Sequence, residues 1–165
     1  MILIFAFDIS VNIGIRGRDS IWNNMEDIDL ARSLLENGKW NLVIVKNGQI
    51  LFRSRERGIA PFFEAVQSLG ESLHNAAMAD RIVGLAVAML CLHARMSSVY
   101  ADVASNAALD MLKKNGVIVD AMNRVSHISN ADGTDLCPFE KLAGSCRNPS
   151  QLMAALQSRF AKGDQ

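Results

Sequence analysis

Apolar and polar positions along this chain fall into short, punctuated segments. From Ile82 to Leu92 no polar side chain occurs on any face. A helix apolar all round must be covered all round, and this run is too short to cross a bilayer. The pattern predicts a buried central helix over about 76–93, with its only charges, Asp80 and Arg81, in the first turns. Before it, Ile28, Leu30, Ala31, Leu34 and Leu35 mark a helix over about 27–36, with Gly38 placed for a left-handed C-cap. Trp40–Val45 and Gln49–Arg53 flank Asn47-Gly48, a pair suited to a type I′ hairpin turn. Pro61 opens a helix to about Leu69.

After the central helix, Ser98–Val103 reads as a strand. Ser105 stands where an N-cap belongs for a helix Asn106–Lys114. Gly116 ends that helix, and Val117–Val119 begins a strand region running towards Ile128. Asn130–Asp135 is a loop, Cys137-Pro138-Phe139-Glu140 opens a short helix, and Asn148-Pro149 starts the last one, to about Phe160. From residue 27 the order is α-β-β-α-α-β-α-β-α-α. Strands alternating with helices after a leading β-hairpin predict a mixed sheet in a three-layer α/β/α sandwich.

Residues 1–24 differ in character from the rest. Ile2–Phe7 reads as a strand and Arg16–Ser20 as a turn, and Met25 is followed at once by an acidic helix start. Two readings stand: 1–24 as an N-terminal extension upstream of a native start at Met25, or as part of the native protein. Either way 25–165 forms one α/β domain. The apolar start lacks a basic flank and a small-residue cleavage site, so it is not read as a secretory signal.

Composition narrows the classes. Lys+Arg and Asp+Glu are both 17, for a net charge of zero, which argues against binding to extended nucleic acid or a membrane surface. Half the residues are hydrophobic, enough to build a core. Three cysteines, one of them (Cys91) in the apolar run, argue against a disulfide framework and for a reducing cytoplasm.

Six segments occur in a telling order: Arg57-Gly58-Ile59-Ala60-Pro61, Ala79-Asp80-Arg81-Ile82-Val83-Gly84, Tyr100-Ala101, Ser105, Ile128-Ser129-Asn130 and Cys137-Pro138-Phe139-Glu140. Together they resemble a family of bacterial proteins of unknown function with a cytidine-deaminase-like fold, over roughly 27–160. The resemblance implies a hairpin, a central helix and βα units around a mixed sheet. It does not imply deamination. A zinc deaminase needs a His or Cys and a nearby Glu on one helix, and two Cys at the start of the next. Here the two expected turns read Ala77-Met-Ala-Asp80 and Ser105-Asn-Ala-Ala108, and no His-x-Glu or Pro-Cys-x-x-Cys occurs. The expectation is no metal and no cofactor.

Five residues are candidate ligand contacts: Asp80, Arg81, Ser105, Asn106 and Asn130. A helix start at Asp80 and another at Ser105 would offer free N–H groups to a phosphate or carboxylate, and Arg81 would grip either. The plainer alternative makes Asp80 a dipole-stabilising charge, Arg81 a surface ion pair and Ser105 an ordinary cap. Cys137 and Glu140 are the catalytic candidates, a thiol at a helix start with a carboxylate three residues on. Their plainer alternative is a structural thiol and a capping carboxylate. His127, Cys137 and Cys146 match no zinc spacing. Arg53, Arg55 and Arg57 would suit phosphate, but Glu56 dilutes the run and no aromatic residue interleaves it, so a solvated loop is expected. Asp8 at the end of the first strand faintly resembles the metal-binding Asp of RNase H-like nucleases or actin-type ATPases, without a second acidic strand.

The function expected is binding of a small ligand, a nucleotide or nucleotide-sugar, without zinc-dependent deamination. The alternatives are a thiol-dependent enzyme using Cys137 and a non-catalytic homo-oligomeric interaction module, in which Ile2–Phe7 pairs across an edge to make a homodimer.

Overall fold

The hairpin is the best-marked element and forms where the sequence puts it. In a computed structural model, which describes residues 18–163 and the side chains of 25–163, β1 (Leu42–Lys46) and β2 (Gln49–Ser54) pair antiparallel. Asn47 and Gly48 turn the chain with φ of 53° and 72°, the left-handed pair that a type I′ turn requires. Helix α1 (Arg18–Glu36) holds that turn from one side. The buried Asp27 carboxylate accepts hydrogen bonds from Asn47 N–H and Gly48 N–H, both at 2.7 Å. Ile2–Phe7 and Asp8 lie outside the described residues, and Arg18–Ser20, expected in a turn, open α1.

Helix α2 (Ala60–Leu69), with Pro61 in its first turn, runs through a 3-10 turn at Gly70–Leu73 into the segment that the apolar pattern assigns to one helix. That assignment is corrected. Residues Ala77–Val83 form a strand, β3, and the helix, α3, is only Leu85–His93. The division falls at Gly84. The reason is burial: β3 pairs with a neighbour on each side, and Ala77–Ala79 are covered on both faces. Such a strand shows a continuous apolar run and not an alternation.

The remaining elements follow closely: β4 (Ser98–Ser105), α4 (Asn106–Lys114), β5 (Ile118–Val125), α5 (Pro138–Ser145) and α6 (Pro149–Ala161). The sheet order is β2-β1-β3-β4-β5. β1 runs antiparallel to both neighbours, while β3, β4 and β5 are parallel. α1 covers one face, packing Ala31 and Leu35 on Val43, Val45, Ala79 and Tyr100. α2 and α3–α6 cover the other, over a larger core that includes Ile44, Met78, Val99 and most of α3. This is the three-layer α/β/α sandwich with a mixed sheet and leading hairpin. Among the described residues no helix is long and apolar enough to cross a membrane.

Candidate ligand cavity

A cavity of about 620 Å³ lies at one end of the sheet. Its floor is the C-terminal end of β3 and the beginning of β1, which meet there because the two strands are antiparallel. Its walls are the loop 56–59, the first turn of α3, the segment 128–131 and the first turn of α5. Ligand crevices of open α/β sheets form at the carboxyl ends of the parallel strands. Leu42, Ile59, Ile82, Val87, Ile128 and Phe139 make the lining largely apolar, and Asn41, Glu56, Arg57, Asp80 and Glu140 bring polar groups to it.

Asp80 sits in β3 opposite Leu42, on the sheet face that carries α3. It does not sit in the first turn of a helix, as the single-helix assignment had it. Its Oδ1 accepts from Ile82 N–H at 3.1 Å. Burial pushes its carboxyl up to about 7, and Asp102 adds to the rise. The backbone N–H groups of Ile82 and Arg81 and the Arg81 charge pull the other way without offsetting it.

Arg81, one residue on, points through the opposite face. Its Nη1 donates to Asp102 Oδ2 and its Nη2 to the Leu35 carbonyl, each at 2.6 Å. The guanidinium thus ties the end of α1 to β4, its two bonded nitrogens turned away from Asp80, while the residue still contributes to the cavity lining. The alternation of a strand separates two residues that a helix would have placed on adjoining turns.

The head of α3 is at Gly84, and it already faces an anion. Glu140 Oε1 accepts from Leu85 N–H at 3.0 Å. A Cβ at residue 84 would lie 2.2 Å from that oxygen and 3.1 Å from Ile128 Cγ1, so only glycine lets α5 approach so closely. Cys137 occupies the cap position of α5 and lines the same cavity. Its N–H donates to Ile128 carbonyl at 2.9 Å and its side chain makes no capping hydrogen bond. Cys91 is buried inside α3, where loss of solvent pushes its thiol well up. All three cysteines are free.

The other candidates lie elsewhere. Ser105 is buried and caps α4, its Oγ accepting from Ala108 N–H at 3.2 Å. Asn106 is exposed beside it. Asn130 organises its own loop, Oδ1 accepting from Thr134 N–H at 3.0 Å and Asp135 N–H at 3.2 Å, while its neighbours Ser129 and Ala131 line the cavity. The structure therefore brings Asp80, Arg81, Cys137 and Glu140 into the lining and leaves Ser105, Asn106 and Asn130 outside it. Sequence reasoning missed Asn41, Arg57 as a cavity residue, and Gly84. Gly84 alone carried a readable signal, a glycine interrupting an apolar run. Among the described residues no three His, Cys, Asp or Glu side chains are grouped to hold a metal ion.

A model of the family described as TM1506, domain of unknown function (DUF1893), matches residues 30–160. The fold is similar to the crystal structure of a DUF1893 family protein (TM1506) from Thermotoga maritima, with a TM-score of 0.74 and 24% identity over 82% of this chain and 90% of that one. Two structures of Acinetobacter baumannii RibD, form 1 and form 2, match with a TM-score of 0.41 and 18% identity, over 89% of this chain and 40% of theirs. No curated protein matches.

Proposed function

The chain belongs to the DUF1893 family, a domain of unknown function, and from the chemistry of its cavity we propose that it binds a small ligand of the nucleotide or nucleotide-sugar class. The observation that carries this reading is the half-buried Asp80 carboxyl on the floor of a largely apolar cavity whose α3 wall holds a second carboxylate, Glu140. Apolar walls with a few convergent polar groups are the usual make-up of a ligand pocket, and about 620 Å³ is within the usual range. Flat apolar surfaces suit the faces of a heterocycle. Carboxyl groups accept from its ring N–H and amino groups. Arg57, exposed at the mouth, suits a phosphate.

With β3 ending at Val83, the turn that a zinc deaminase would use falls at the head of α3. It reads Gly84-Leu-Ala-Val87, and the head of α4 reads Ser105-Asn-Ala-Ala108. Neither carries the His, Cys and Glu that zinc-hydroxide chemistry needs, so the proposal is binding without that reaction.

A thermal-shift screen of nucleosides, nucleotides and nucleotide-sugars tests it. A ligand that binds the folded state raises the melting temperature with the logarithm of its concentration. At least one member of the panel is expected to do so, and Asp80→Asn to diminish the shift. No stabilisation by any member at millimolar concentration would overturn the reading.

A second reading, a thiol-dependent enzyme, has one observation in its favour: Cys137 lines the same cavity as Asp80 and Glu140. The pH dependence of Cys137 alkylation separates the two. A reactive thiolate persisting well below the free-thiol value of about 8.5 supports the enzyme, and an ordinary profile counts against it.

A further inference from the structure

Arg53, Arg55 and Arg57 have no aromatic residue among them in sequence, but the fold supplies one from the segment that leads into β1. The Arg53 guanidinium lies 4.5 Å from the Trp40 ring centroid and that of Arg55 4.9 Å from it. Trp40 packs against the buried cluster beneath α1, which fixes it as a platform. Stacking of this kind orders a guanidinium while leaving its in-plane N–H donors free. Among the described residues no carboxylate oxygen comes within 4.0 Å of any of these three arginines, whereas Arg32 and Arg81 both have one. The cluster lies at the same end of the sheet as the cavity, on the face that α1 covers, so that the two are joined around the sheet end. Asn41, next to Trp40, lines the cavity and donates from Nδ2 to the Arg55 carbonyl at 2.6 Å. Arg57, exposed and part of the cavity lining, follows Arg55 by two residues.

We propose that Trp40, Arg53 and Arg55 form an oxyanion shelf that takes the phosphate chain of the ligand whose base occupies the cavity, with Arg57 at the bend. The position of the base rests on the function proposed above; the shelf stands on its own geometry. A helix start, the other common phosphate site, is closed at α3 by Glu140. The phosphodiesters of RNA offer the same chemistry. The nucleotide's own chain is favoured because the cluster is small and the chain as a whole is charge-balanced, without the basic stripe that extended nucleic acid calls for.

The test follows the indole N–H resonance of Trp40, assigned with Trp40→Phe, during titration with inorganic tripolyphosphate. Each ribonucleoside, its triphosphate and a short oligouridylate are titrated in parallel. Tripolyphosphate is expected to move the Trp40 signal saturably. R53Q/R55Q is expected to weaken it by about tenfold or more, and R53K/R55K to fall between because lysine lacks the planar fork. The amide spectrum of each variant verifies its fold. Triphosphates should bind tighter than their nucleosides, with the gap closing in R53Q/R55Q. A Trp40 signal indifferent to tripolyphosphate, or unaltered affinity in R53Q/R55Q, overturns the shelf. Oligouridylate binding at least about tenfold tighter than any triphosphate overturns its assignment to a nucleotide. Tripolyphosphate binding with no response of the cavity to any nucleoside or triphosphate upholds the shelf and overturns the base reading instead.

Discussion

Glu140 accepts the Leu85 amide proton at 3.0 Å across fifty-five residues of chain, and it reaches that proton because residue 84 has no Cβ. The contact satisfies a free N–H at the head of α3, sets a negative charge at the positive end of the helix, and closes one wall of the cavity.

Gly84→Ala is expected to destabilise the protein by about 1–3 kcal/mol, because the new methyl displaces Glu140. Glu140→Ala is expected to cost about 1 kcal/mol, the value of a cap. The two costs should not add. In the Glu140→Ala background the alanine at 84 meets only Ile128, so its penalty shrinks. A double-mutant cycle in urea measures this, and strictly additive costs would show that Gly84 and Glu140 are not coupled.

Asp80 gives the folded state an unusual pH dependence. Its carboxyl keeps its proton up to about pH 7, against an ordinary value of 3.8. Between these values the folded protein binds more protons than the unfolded chain, so stability falls as pH rises. The contribution is fully present below about pH 4 and is lost by about pH 7. Asp80→Asn should flatten this slope and gain on the wild type as pH rises. Parallel stability curves from pH 4 to pH 8 would contradict the burial of this carboxyl.

Arg81 belongs to the frame of the molecule. Arg81→Met removes its bonds to Asp102 and the Leu35 carbonyl. It is expected to cost about 2 kcal/mol, measured by chemical denaturation, while ligand affinity stays within about twofold. A large loss of affinity at unchanged stability would place the guanidinium in the cavity.

Asp27→Asn should loosen α1 from the hairpin. The carboxylate accepts from two N–H groups at once, and an amide side chain cannot accept from both with the same geometry. The expected cost is about 2 kcal/mol, with faster hydrogen exchange at Asn47 and Gly48. Unchanged exchange there would refute the anchoring role.

Much of the fold was legible because local chemistry specifies it. Asn47-Gly48 dictates its turn, Ser105 and Asn148 cap the helices that follow them, and α4 has the bounds its pattern predicts. The division of residues 77–93 into β3 and α3 was obscured because a strand covered on both faces and a helix covered all round share an apolar run. That error carried into the site. A helix puts Asp80 and Arg81 near one another at an N-terminus, whereas a strand sends them to opposite faces. Cys137 and Glu140 were visible as a pair, but nothing local says that α5 folds back onto Gly84. That contact exists only once the sheet is assembled.

Titrating the amide spectrum with the nucleotide and nucleotide-sugar panel shows whether the cavity at the head of α3 binds a nucleotide-class ligand. Saturable shifts concentrated at residues 56–59, 80–87, 128–131 and 137–140 are expected, weakened in Asp80→Asn. No shift with any member of the panel, or shifts confined to residues outside those segments, would contradict it.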